Sequence, residues 1–167
     1  MGYAYCCIGL QEKALEYCLQ GLSISRDIGD YYGESSALSN IALIYNQCGD
    51  YALSIQHYKQ SLKISQKLKI LRIESMTLCR FAITLIKIGS YSESLEKLQQ
   101  AELISLQIGS RNIQAEALKA LADLHKVLGQ PDIALQYCKD ALLIAEKLNI
   151  PLAKECKILL HEIEYIC

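Results

Sequence analysis

Apolar positions along the chain recur every three or four residues in stretches of about 17–18 residues, the spacing that gathers them on one face of an α-helix. Short breaks separate the stretches, and the breaks are regular. Gly9, Gly49, Gly89 and Gly129 lie 40 residues apart, in CCIGLQ, QCGDY, IKIGSY and KVLGQP. Glycine inside a helix costs about 1 kcal/mol relative to alanine, so a glycine that recurs in register is read as a stop. A second mark repeats with the same period at Gly29, Lys69, Gly109 and Asn149; three of these four tolerate the left-handed conformation that closes a helix. Two stops per repeat predict two helices per repeat. The predicted helices are 1–8, 11–28, 31–48, 51–68, 71–88, 91–108, 111–128, 131–148 and 151–166. Asp50 and Ser90 suit the N-cap, Ser90 with Glu93 as a capping box, and Pro131 and Pro151 fall in first turns.

Columns taken every 40 residues show what packs. Large apolar columns are Leu15/Ile55/Leu95/Leu135, Ile24/Ile64/Ile104/Ile144, Leu38/Leu78/Leu118 and Ile41/Phe81/Leu121. Small residues fill Gly2/Ala42/Ala82/Ala122, Ala14/Ser54/Ser94/Ala134 and Gly21/Ser61/Ala101/Ala141. Small residues let two helices cross closely while the large ones fill the adjoining gaps. A helix pair of this kind cannot bury its apolar face alone, so the pairs must stack.

The stretch from Leu38 reads L-x-x-I-A-x-x-Y-x-x-x-G-x-Y-x-x-S-x-x-x-Y-x-x-S-L, through Ile41, Ala42, Tyr45, Gly49, Tyr51, Ser54, Tyr58, Ser61 and Leu62. Leu78, Phe81, Ala82, Gly89, Tyr91, Ser94 and Ala101 repeat it, then Leu118, Leu121, Ala122, Gly129, Ala134 and Ala141. This pattern resembles the tetratricopeptide repeat family over essentially the whole chain. The family's usual period is about 34 residues, so a period of 40 resembles its longer-helix members, found in polarity adaptors, bacterial peptide-sensing regulators and signalling or transcription-activator proteins. The resemblance implies an all-α, right-handed solenoid of about four helix–turn–helix repeats plus a C-terminal helix. One domain over 1–167 is expected, with repeats at about 1–30 (partial), 31–70, 71–110, 111–150 and 151–167 (partial), as a piece of a longer protein. The last predicted helix carries Leu159, Leu160, Ile163 and Ile166, an apolar face that invites self-association or a continuation of the parent chain.

Charge narrows the partners. With 17 basic and 18 acidic residues interspersed, the net charge of −1 gives no footprint for nucleic acid or an anionic membrane. No apolar run is long enough to span a bilayer, and no signal peptide is evident. The eight cysteines are read as reduced thiols of a cytoplasmic protein, several of them in small apolar positions. His161-Glu162 begins H-E-x-x-H, but Tyr165 stands where the second histidine would be. His125 shares a packing column with Tyr45 and Leu85, and His57 has no carboxylate at ligand spacing. No phosphate-binding or nucleophile motif occurs, so no enzyme activity, metal or cofactor is expected.

What the resemblance implies about function is a groove. In the family, the first helix of each repeat lines a concave face that holds a protein or peptide partner. Transferred column by column, the lining is Ser36, Ser39, Leu43, Asn46 and Gln47, then Met76, Cys79, Ile83, Ile86 and Lys87, then Glu116, Lys119, Asp123 and Lys126. Tyr3 and Cys6 join from the first repeat, and Cys156, Leu159 and Ile163 from the last. An apolar middle with a methionine suits the apolar side of a helix or peptide. A small shift of frame would instead place Leu43, Ile83 and Ile86 in the core between repeats. Leu43, Ile83 and Asp123 fill the columns where family members that clamp a C-terminal carboxylate place asparagine, so that mode is not implied.

Overall fold

A computed structural model describes residues 2–164, with side chains from residue 11 onward. Those residues form eight helices and no strand: α1 (Gly2–Asp27), α2 (Tyr31–Cys48), α3 (Tyr51–Lys67), α4 (Leu71–Lys87), α5 (Tyr91–Gln107), α6 (Arg111–Val127), α7 (Pro131–Lys147) and α8 (Leu152–Glu164). This is the all-α helical-repeat class. From α2 onward the spans agree with the stop signals to within two residues.

The helix ends explain why. Each of α1–α7 closes with the same pair of backbone bonds, as at α3, where Lys69 N–H donates to the Gln66 carbonyl at 3.2 Å and Ile70 N–H to the Ser65 carbonyl at 2.8 Å. The residue between them is left-handed every time. Glycine takes that role at positions 29, 49, 89, 109 and 129, but Lys69 (φ 55°) and Asn149 (φ 50°) take it as well. Asp30 and Asp50 cap the next helix by accepting from Gly33 N–H (3.0 Å) and Leu53 N–H (3.1 Å). Ser90 makes no such bond, so the expected capping box with Glu93 does not form. At ψ 64° the backbone is far from the extended value usual at a cap, and serine is one atom shorter than aspartate.

Gly9 is the other departure. Helices 1–8 and 11–28 are in fact one, and Gly9 lies inside α1. One helical glycine costs only about 1 kcal/mol, so a continuous helix can carry it. Ile24 is 59% exposed although it belongs to a large apolar column.

Two compact units divide the chain, Met1–Thr77 and Leu78–Cys167, with α4 contributing to both. In the first, α2 packs between α1 and α3, around Leu22, Leu38 and Ile41. In the second, α6 packs against α5 and α7, and α8 closes onto α7 and α6 around Leu118, Ala122, Ala134, Cys138, Ala141, Cys156, Leu159 and Ile163. The columns Leu38/Leu78/Leu118, Ile41/Phe81/Leu121 and Ala42/Ala82/Ala122 are all buried. Two of the serines in the small columns bind the neighbouring helix: Ser61 Oγ donates to the Ser35 carbonyl (2.7 Å) and Ser94 Oγ to the Ala82 carbonyl (3.0 Å).

Candidate interaction surface

The nominated groove residues fall in both units. In the first, Gln47 is exposed and Ser36, Leu43 and Met76 are half-buried, while Ser39 is fully buried and Asn46 is only 4% exposed. Asn40, one turn on from Ser36, is half-buried and shares the accessible line of α2 with Leu43 and Gln47. In the second unit Ile83 (36%) and Lys87 are exposed, Ile86 is half-buried and Cys79 is buried. Arg80 takes the accessible place beside Cys79. Asn40 and Arg80 escape the column transfer because it steps three residues where the open face of these helices steps four. The signal is present: a small residue at the third position and a long polar one at the fourth.

On α6 the pattern is sharper. All of its residues between the first and last are buried except Asn112, Glu116, Lys119, Asp123 and Lys126, which succeed one another at three- and four-residue spacing on one face. That face is tied together and to α8. Lys119 Nζ lies 3.0 Å from Asp123 Oδ2 and 3.5 Å from Glu155 Oε2, and Lys126 donates to Glu162 Oε2. Burial works against the Lys119 ammonium, but the Asp123 and Glu155 carboxylates outweigh it and hold the group above its ordinary range. Burial also raises the Asp123 carboxyl, with Lys119 opposing. The hydrogen bond from Lys126, and then its charge, lower Glu162. Neighbouring α4 brings the Cys79 thiol within reach of the charges of Glu116 and Lys119, but burial dominates and pushes that thiol up to about 12. It is therefore no nucleophile at neutral pH.

Cys156, Leu159 and Ile163 are core residues rather than groove. On the 40-residue frame Ile158, His161 and Glu162 of α8 match Leu118, Leu121 and Ala122, yet all three are exposed, Ile158 to 62%. Cys156, Leu159 and Ile163 are the buried line of this helix instead. Tyr3 and Cys6 lie outside the residues whose side chains are described.

The remaining chemistry is structural. His125 is buried, stacked on Tyr137 with ring centroids 5.4 Å apart, its Nδ1 2.6 Å from Gln130 Oε1. His57 stacks on Tyr45 at 5.5 Å, and burial, then the Arg26 charge, lowers its pKa. Cys18, Cys48, Cys79, Cys138 and Cys156 are free thiols. Among the described residues no cluster of three or more His, Cys, Asp or Glu could hold a metal, and no helix is long and apolar enough to cross a membrane.

Residues 1–67 match the family model described as Tetratricopeptide repeat. No curated protein matches the chain. Solved structures share the fold. BtubC from P. vanneervenii superposes with a TM-score of 0.79 at 16% identity, over 95% of this chain and 66% of that one. A signal transduction ATPase with numerous domains from Pyrococcus horikoshii, which carries a tetratricopeptide repeat sensor, gives 0.74 at 24% identity, over 93% and 24%. The kinesin light chain TPR-like repeats from Podosopora anserina give 0.64 at 16% identity, over 98% and 90%. The chain thus spans less than two thirds of the first two. Residues 1–67 thus carry the tetratricopeptide repeat match, and the same helix pair repeats through residue 150.

Proposed function

We propose that the chain is a non-enzymatic protein-interaction scaffold that binds a peptide or helix along the open faces of the first helices of its repeats. The observation that carries this is α6, buried between its end residues except on one line of charged and amide side chains. Exposed Ile83 on α4 adds the apolar contact that a helical or extended peptide needs. Lys119 and Lys126, held by acids of α8, give that line fixed charges rather than wandering ones, which favours selectivity over bulk attraction. The test is selection from a displayed peptide library, then binding of the selected peptides to Ile83→Glu/Lys87→Glu. The variant is expected to keep wild-type helicity by circular dichroism and to bind roughly tenfold or more weakly. Unchanged affinity in a folded variant refutes the groove.

A second reading is a sensor or regulatory segment of a larger signalling or transcription-regulating protein. It is favoured by the Pyrococcus horikoshii structure, in which a repeat array of this fold is the sensor of a multidomain ATPase. Both readings require the same groove; the second adds an output module, which the flanking sequence of the parent gene would reveal.

A further inference from the structure

Helix α3 carries Lys59, Lys63 and Lys67 and no acid. The three stand at i, i+4 and i+8, where like charges weaken a helix, and all are exposed. Neither Lys63 nor Lys67 makes an ion pair among the described residues. Both line a cleft of about 440 Å³ that lies wholly within the first unit, a size typical of sites that enclose a small ligand or a few side chains. Arg26 of α1 lines it too; its Nε donates to Glu34 Oε1 at 2.8 Å, which leaves the terminal nitrogens of its guanidinium available. Tyr31, Ile64 and Leu68 supply the accessible non-polar lining. Three cations therefore face one acid over an apolar base.

The repeat supplies its own control. Forty and eighty residues beyond Lys63 stand Leu103 and Leu143, both exposed, so the fold does not require a lysine there. The counterparts of Arg26 are Gln66, Leu106 and Glu146. Those of Lys67 are Gln107 and Lys147, so a single cation recurs but the set of three belongs to this one copy.

We propose that this cleft binds an acidic peptide segment, its side-chain carboxylates taken by Lys63, Lys67 and Arg26 and an aliphatic side chain seated over Ile64 and Leu68. Carboxylates on a folded or extended peptide fit better than a nucleic acid, which needs a broad basic surface, whereas this chain has a net charge of −1 and a cleft only three cations wide. Its three cations come from α1 and α3, which the groove reading does not use, so the site stands or falls independently of it.

The test is fluorescence anisotropy with a labelled Asp-Glu-Leu-Asp-Glu peptide, its Asn-Gln-Leu-Asn-Gln counterpart, and the variants Lys63→Glu/Lys67→Glu and, as a control for overall charge, Lys139→Glu on α7. The acidic peptide is expected to bind roughly tenfold tighter than the amide peptide, and the double variant to lose about tenfold or more while melting like wild type. Lys139→Glu is expected to leave binding unchanged. Equal binding of the two peptides, unchanged binding by the folded double variant, or an equal loss in Lys139→Glu overturns the proposal. So does displacement of the peptide by an unstructured oligonucleotide or by inorganic phosphate as effectively as by unlabelled acidic peptide.

Discussion

Ser54, Ser94 and Ala134 occupy one column, all fully buried, and differ only in a hydroxyl and what it finds. Ser94 Oγ reaches the Ala82 carbonyl, whereas Ser54 Oγ has no hydrogen-bond partner among the described residues. A buried hydroxyl without a partner costs about 1–3 kcal/mol, and a made bond contributes about 1 kcal/mol. Ser94→Ala is therefore expected to destabilise by about 1 kcal/mol and Ser54→Ala to be neutral or stabilising by a similar amount, measured as urea midpoints. Two equal losses would show that the hydroxyls act alike. The sequence identifies this column as small, because only size repeats. It cannot say which hydroxyl is satisfied, since that depends on which backbone carbonyl lies across the crossing. The same limit applies to Ser39 and Asn40: adjacent residues point about 100° apart on a helix, and a column transfer off by one step takes the buried one.

At the scale of the helix, punctuation is more legible than rotation. Stops recur every 20 residues because each closes with the same left-handed residue and the same two bonds. Lys69 fills that place against its preference, and a left-handed non-glycine residue costs about 1 kcal/mol or more. Lys69→Gly relieves this but loosens the unfolded chain, so a net gain of roughly 0.5 kcal/mol in stability is expected by thermal or urea unfolding; a loss would mean the lysine side chain contributes something beyond its backbone. Gly9 carries the same signal inside a continuous helix, because one helical glycine costs only about 1 kcal/mol and by itself compels no stop. Which line of α8 is buried is hidden because periodicity reports the apolar face of a helix in isolation, whereas the neighbours it meets decide the burial.

At the scale of the molecule, burial of thiols ties stability to pH. The folded state holds the Cys79 thiol near 12, and that of Cys138 near 11, against an ordinary value of 9.0. In each case desolvation is the main cause. Both are raised, so above about pH 9 the folded protein keeps protons that the unfolded chain gives up. Stability is therefore full below that point and falls as pH rises toward the folded values, by at most about 1.4 kcal/mol per pH unit for each thiol. Urea midpoints between about pH 8 and pH 10.5 are expected to fall less steeply in Cys79→Ala than in wild type; parallel profiles would show that this thiol does not drive the loss. The fold class of the whole chain is legible from the columns alone. The charge ties across α6 and α8 are not, because Glu155 and Glu162 occupy positions that the repeat gives to Ala115 and Ala122.

The uniform hand-over between helices also governs how such a chain can change length. One residue inserted inside a helix swings everything after it in that helix by about 100°, dragging the alanine of the close crossing away from its partner. Length added or removed in blocks of forty, from one left-handed glycine to its counterpart such as Gly49 to Gly89, leaves every column where it was and joins like to like. The array is thus built to tolerate duplication and loss of whole modules while resisting the single-residue slip.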